Sequence, residues 1–210
     1  FICSPNNPTG TSVSKRDIIN VLEAFSGKAI VVVDEAYIEF DIEQSQSDLL
    51  EKYDNLVILR TLSKAFGLAG LRCGFTLASA EIIQTLLKVI APYPIPAPVA
   101  QIASKALADD GLVKMQSDVL ILKNELQALR TALNKIGDIT IVGDINANFV
   151  LFKTQRKTEL MAFLVENKML IRDQSKQIKL DNCLRISIGS PEQNQQLLAL
   201  IKAFFADGNQ

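Results

Sequence analysis

Three short apolar runs, each ending in a cluster of polar residues, constrain this chain more than any other feature of it. Ala29-Ile30-Val31-Val32-Val33 is a continuous run of small and β-branched residues that stops at Asp34. A run without polar alternation predicts a strand buried on both faces, as in a parallel sheet. Asn55-Leu56-Val57-Ile58-Leu59-Arg60 repeats the pattern and leads to Thr61-Leu62-Ser63-Lys64. Phe1-Ile2-Cys3 does the same ahead of Ser4-Pro5-Asn6-Asn7-Pro8-Thr9-Gly10. Helical segments lie between the runs, which is the α/β order of elements. In open α/β sheets ligands bind beyond the carboxyl ends of the strands, and that is where these polar clusters fall.

Local signals fill in the rest. Ser14 with Asp17 predicts the cap of a helix running to about Phe25. Ile38 to Tyr53 reads as loop with a short helix, and Cys73 to Leu77 as a further strand. Ser79 predicts the cap of a helix to about Val89, which Pro92, Pro94, Pro96 and Pro98 terminate. Val99 to Leu107 is helical again. Met115, Val119, Leu122, Leu126, Leu129 and Leu133 recur at steps of three and four, predicting a long helix over 112–136. Strands follow over 139–142, 148–152 and 183–188, with a helix over 158–167. Ser190-Pro191-Glu192-Gln193 opens a last helix, with Ser at the cap, Pro at the first position and Gln at the third. The expected organisation is a partial large domain over 1–112 and a smaller α+β domain over 113–210. Phe1-Ile2-Cys3 reads as the end of a strand, so we expect a carboxyl-terminal part of a longer chain.

Composition excludes several function classes. Of 210 residues, 48% are hydrophobic and 21% charged, which is globular and not disordered. A formal charge of -1 gives no bulk attraction to nucleic acid or to an anionic membrane. Cys3, Cys73 and Cys183 have no ligand-like spacing and there is no histidine, so no metal site is expected. The odd cysteine count fits a reducing compartment, and we expect a cytoplasmic protein. No apolar run approaches the roughly 20 residues of a membrane span. Without histidine, a base working near neutral pH must be another residue type, and a lysine of lowered pKa is the candidate.

Lys64 is that lysine. It follows an apolar strand, where partial desolvation near other cations would let it form a Schiff base with an aldehyde. Thr61 and Ser63 offer hydroxyls to phosphate oxygens, and Arg72 a guanidinium, with Gly67 and Gly70 allowing the turn between them. Asp34, at a strand end, suits a protonated ring nitrogen, which would make that ring an electron sink. Tyr37 and Asn7 can each donate to a cofactor oxygen. Arg185, on the apolar strand Leu184 to Ile188, has the planar geometry for a substrate carboxylate, and Arg172 is a second arginine for the same cleft. Each has a plainer alternative: a surface lysine or ion pair, a turn or cap, a solvent-facing strand residue.

Ser4-Pro5-Asn6-Asn7-Pro8-Thr9-Gly10, Asp34-Glu35-Ala36-Tyr37, and Ser63-Lys64 with Gly70-Leu71-Arg72 resemble the fold-type I aminotransferases, in the same order and over essentially the whole chain. The resemblance implies pyridoxal 5'-phosphate as cofactor. It implies that Lys64 holds it covalently and shuttles the proton, and that Asp34 pairs with its ring nitrogen. Asn7 and Tyr37 would bond its phenolic oxygen, and Thr61, Ser63 and Arg72 its phosphate. Arg185 would bind the substrate α-carboxylate. Within the superfamily, Lys88-Val89-Ile90-Ala91-Pro92-Tyr93-Pro94 resembles the histidinol-phosphate aminotransferases, in which Arg172 would match an arginine that helps hold the substrate's phosphate. That implies ping-pong transamination of histidinol phosphate with 2-oxoglutarate, in histidine biosynthesis, by a homodimer. The family also has a further amino-terminal region with additional cofactor contacts, so this chain alone is expected to be inactive. Threonine-phosphate decarboxylases and aromatic aminotransferases share most of the framework. An aminotransferase-like effector domain of a regulator is the non-enzymatic alternative.

Overall fold

The computed structural model describes residues 1–206. The chain divides into two compact units, Phe1–Asn6 with Ser12–Val119, and Asn7–Thr11 with Leu120–Gln210. The division falls within one long helix, α4 (Asp109–Leu133), on which the expected boundary at 112/113 also lies.

The first unit is built on a four-stranded sheet. Its strands are β1 (Ile2–Cys3), β2 (Val31–Asp34), β3 (Leu56–Thr61) and β4 (Gly74–Ala78), in that spatial order. β1–β2 and β2–β3 are parallel, and β3–β4 is antiparallel. Helix α1 (Lys15–Ala24) starts where the sequence indicates: the Ser14 hydroxyl accepts from the Asp17 N–H at 3.2 Å and donates to the Asp17 carboxylate at 2.6 Å. Ile18 and Leu22 of α1 bury against Val31 and Val33 of β2 and Leu56 and Ile58 of β3. Each such aliphatic side chain contributes about 1.5–3 kcal/mol when fully buried.

The expectation that β2 is buried on both faces does not hold. Val31 and Val33 are buried, whereas Val32 and Asp34 are only half-buried. Helix α1 covers the first face. The second takes less cover from the described residues, so the strand alternates in burial although its sequence does not alternate in polarity. Between β2 and β3 the chain makes three short 3-10 turns at Ile38–Phe40, Ile42–Gln44 and Ser47–Leu49. Helices α2 (Ala80–Leu87) and α3 (Ala97–Ala106) follow β4. Ser79 does not cap α2 with its side chain; its hydroxyl donates instead to the Asp54 carbonyl at 3.3 Å.

The second unit holds an antiparallel sheet of β5 (Thr140–Val142), β6 (Phe149–Lys153), β7 (Arg172–Asp173) and β8 (Cys183–Ser187), in the order β5-β6-β8-β7. Helices α5 (Lys157–Glu166) and α6 (Pro191–Ala206) complete it. Leu126, Leu129 and Leu133 of α4 meet Val150 and Phe152 of β6, Leu184 and Ile186 of β8, and Leu197, Ile201 and Phe205 of α6 in one core. The expected start of α6 is present as a reciprocal cap. The Ser190 N–H donates to Gln193 Oε1 at 2.9 Å, and the Gln193 N–H to Ser190 Oγ at 3.3 Å.

Candidate functional site

Period-2 alternation sorts the residues at the carboxyl ends of β2 and β3 onto two faces. Val31 and Val33 face α1, so Glu35 continues that face and Asp34 takes the other. On β3, Arg60 follows Leu56 and Ile58 toward α1, while Thr61 lies on the face of Asp34. In register, Cys3, Asp34 and Leu59 stand side by side across β1, β2 and β3.

Asp34 is half-buried. Its Oδ1 accepts the Ala36 N–H at 3.0 Å, and its Oδ2 accepts the Cys3 thiol at 3.7 Å. An ionised carboxylate has about four acceptor positions, so these contacts leave room for a further donor. Tyr37 is buried, and the Lys64 Nζ lies 5.2 Å from its ring centroid. The Thr61 hydroxyl donates to Ser63 Oγ at 2.9 Å and accepts the Ser63 N–H at 3.1 Å. The structure therefore brings together Tyr37 with Lys64, and Thr61 with Ser63.

Lys64 itself is exposed, not desolvated as the sequence indicates. The turn that carries it anchors Leu62 and Ala65 inward, at 0% and 5% exposure, and of the two residues between them Ser63 stays half-buried while Lys64 turns outward. Arg72 is exposed too. It sits in the left-handed region at φ 55°, and its Nη1 donates to the Ala69 carbonyl at 2.8 Å.

In the second unit, Arg172 of β7 and Arg185 of β8 are direct cross-strand partners. They line one cavity of about 1060 Å³ together with Lys168 and Lys176. Like charges directly opposite each other on a sheet are destabilising, so an anion between them would relieve a repulsion already built in. Arg185 donates to the Asn7 side-chain oxygen, and its guanidinium lies 4.9 Å from the Phe149 ring centroid. Asn7 belongs to this unit because Thr9 and Gly10 dock on the 143–146 segment. The Asp144 N–H donates to the Thr9 carbonyl at 2.9 Å, and the Asn146 N–H to the Gly10 carbonyl at 3.2 Å. The acidic side chain on the cavity wall, Asp173, is engaged by Lys157 at 2.9 Å. Burial works to raise its pKa, but the Lys157 ion pair and hydrogen bonds from Ser175 outweigh that and bring it to about 2. The cavity wall thus carries an excess of positive charge.

Sequence reasoning passed over Lys168 and Lys176, which sit in turns with no motif around them. It also passed over the buried Glu35–Arg60 pair, whose members lie 25 positions apart.

The donor set fits pyridoxal phosphate: a primary amine for an aldehyde, a carboxylate with open acceptor positions for a protonated ring nitrogen, and paired hydroxyls with a guanidinium for a phosphate. The family model for aminotransferase class I and II matches residues 1–201. The histidinol-phosphate aminotransferase of Pseudoalteromonas atlantica is 62% identical over 205 residues, covering 98% of this chain and 55% of that protein. Among solved structures, the histidinol-phosphate aminotransferase from Clostridium acetobutylicum superposes with a TM-score of 0.91 at 28% identity, covering 98% of this chain and 63% of that one. The L-threonine-O-3-phosphate decarboxylase from Porphyromonas gingivalis does so with a TM-score of 0.85 at 25% identity, over the same shares. The chain spans a little over half the length of the curated relatives it matches.

Proposed function

The chain belongs to the aminotransferase class I and II family, and from that membership we propose that the protein transaminates histidinol phosphate with pyridoxal 5'-phosphate as cofactor and 2-oxoglutarate as amino acceptor. The observation that carries this reading is the set at the ends of β2 and β3, where Asp34, Tyr37, Thr61, Ser63 and Lys64 supply the amine, carboxylate and hydroxyls such a cofactor needs. The residues divide the work. Lys64 would hold the cofactor through its amine, and the freed Nζ would take the proton from the substrate Cα and return it on the cofactor side. Asp34 would keep the ring nitrogen protonated. Tyr37 and, on the family resemblance, Asn7 would hold the phenolic oxygen, and Thr61, Ser63 and Arg72 the phosphate. When bound, the cofactor supplies an electron sink for the charge that develops at Cα.

Arg185 holds the substrate carboxylate of the amino acceptor, and Arg172 the substrate phosphate. The positive cavity wall supports this, because two planar guanidinium groups in register suit substrates with strongly anionic oxygens. On the same reading the protein acts as a homodimer in the cytoplasm. Among the described residues, no helix is long and apolar enough to cross a membrane.

The test uses the full-length protein loaded with pyridoxal phosphate. Addition of histidinol phosphate should convert the visible absorbance of the bound cofactor to that of its aminated form, 2-oxoglutarate should restore it, and Lys64→Ala should abolish the change. Release of carbon dioxide from a phosphorylated amino acid, with no response to histidinol phosphate, would replace the reading with the decarboxylase one.

A further inference from the structure

Directly behind Asp34, on the opposite face of the sheet, lies a polar cluster that the transamination reading does not use. The Glu35 carboxylate is 1% exposed and accepts four hydrogen bonds. The Gln46 N–H reaches Oε1 at 2.7 Å. The Ser45 hydroxyl reaches Oε2 at 3.1 Å, and Arg60 reaches the same oxygen through Nε at 3.0 Å and Nη2 at 2.8 Å. Arg60 Nη2 also donates to Ser45 Oγ at 2.7 Å, so the three side chains close a ring. Glu39, from the adjoining 3-10 turn, also interacts electrostatically with Arg60 and Glu35, and burial first of all raises its pKa.

A buried ion pair is a poor device for stability alone. Apolar residues of similar volume often do as well or better, because both charges lose their water. What such a pair does supply is fixed geometry. Here the geometry is placed on two strand ends at once. Glu35 is the neighbour of Asp34 and stands two residues before Tyr37; Arg60 is the neighbour of Thr61 and stands four residues before Lys64. The Glu35 N–H also donates to the Leu59 carbonyl at 2.9 Å, extending the β2–β3 ladder one residue past the end of β2. Main chain and side chain of Glu35 therefore lock the same two strand ends.

We propose that Glu35 and Arg60 are positioning residues: their pairing behind the sheet sets where Asp34, Thr61 and Lys64 stand on its front. This rests on the transamination reading above. Neither side chain touches the cofactor in this scheme; both act through the neighbours they hold.

The experiment measures pyridoxal phosphate Kd, and the pH midpoint of the bound cofactor's visible absorbance, in the full-length protein. Glu35→Gln keeps the shape and removes the charge. It should weaken binding by about tenfold or more, the range seen when groups that orient the residues holding a bound group are removed, and it should displace the pH midpoint. Ser45→Ala, at a partly exposed site where folding is not at risk, removes two bonds of the ring and should weaken binding by about threefold. Ile18→Val, in the core of the same unit, is the control that lowers stability without touching the ring; it should leave both quantities at wild-type values. Wild-type Kd and midpoint in the folded Glu35→Gln protein, or in Ser45→Ala if the first does not fold, would overturn the proposal. Equal shifts in Ile18→Val would also overturn it, by reducing the effect to stability. Absence of cofactor binding in the wild-type protein would sink the transamination reading and this inference with it, whereas binding that the variants leave unchanged sinks the inference alone.

Discussion

Replacing Gly143 with alanine probes the contact that brings Asn7 to Arg185. Gly143 has φ +72°, and a β-carbon added there would overlap the Thr9 carbonyl oxygen. Two costs follow. A non-glycine residue in the left-handed region costs about 1–2 kcal/mol. The clash is with main chain, which cannot swing aside as a flexible side chain can. The Thr9 carbonyl must move away and lose the hydrogen bond it accepts from the Asp144 N–H at 2.9 Å, worth about 1 kcal/mol net. The sum, about 2–3 kcal/mol, corresponds to a factor of roughly 30 to 150 in the equilibrium for opening this contact. Amide hydrogen exchange at Asp144 and Asn146 reads that opening directly, and both amides should lose protection by about that factor. Gly27→Ala is the matched control, since Gly27 has φ +67° with nothing within 4 Å of the added carbon. It should show the conformational cost alone, about 1–2 kcal/mol by urea denaturation. If Asp144 keeps its protection in Gly143→Ala, or if that substitution costs no more than Gly27→Ala, the close approach does not hold the turn and the reasoning fails.

Two further predictions concern local electrostatics and capping. Asp173 has its pKa held at about 2, below its ordinary 3.8, against the opposing effect of burial, by Lys157 and Ser175. A depressed carboxyl pKa stabilises the fold above the unfolded value and loses that contribution as pH falls from about 4 toward 2; because the group is a third exposed, the loss should be about 1 kcal/mol after allowance for solvent screening. Lys157→Met should flatten this part of the acid-denaturation curve, and an unchanged curve would show that the pair contributes nothing. Ser14→Ala removes the side chain that accepts the Asp17 N–H at the start of α1 and should lower stability by about 1 kcal/mol in urea denaturation. A loss below a few tenths of a kcal/mol would mean that water caps the helix equally well.

Local chemistry made much of this chain legible. The Ser14–Asp17 and Ser190–Gln193 caps are short-range patterns whose partners lie within three residues, so the sequence carries the whole signal. The parallel strands and the polar residues at their ends were legible because hydrophobic runs of that length are distinctive. Ser79 misled because its hydroxyl found the Asp54 carbonyl, a competitor 25 residues back in the chain. The two-residue β7 is too short for any periodicity. It matters because its register with β8 sets Arg172 opposite Arg185, and register is decided by pairing across the sheet, not along the chain.

Asp34 and Glu35 show the limit most sharply. They are adjacent carboxylates of nearly the same chemistry, yet one stays open at the front of the sheet and the other is sealed behind it with Arg60. Alternation decides which is which, since Val31 and Val33 take the α1 face and Glu35 must follow them. The run Ala29 to Val33 conceals that decision, because every residue in it is apolar and either phase would satisfy the pattern. Only the packing of Ile18 and Leu22 on one side breaks the tie. The choice has a functional consequence. With the opposite phase, Asp34 would face the helix, Glu35 the front of the sheet, and Arg60 would turn forward beside it. The carboxylate at the front would then be Glu35, already paired with Arg60 and with fewer acceptor positions left open than Asp34 has. The helix that builds the core thus also selects which carboxylate is left open to a cofactor.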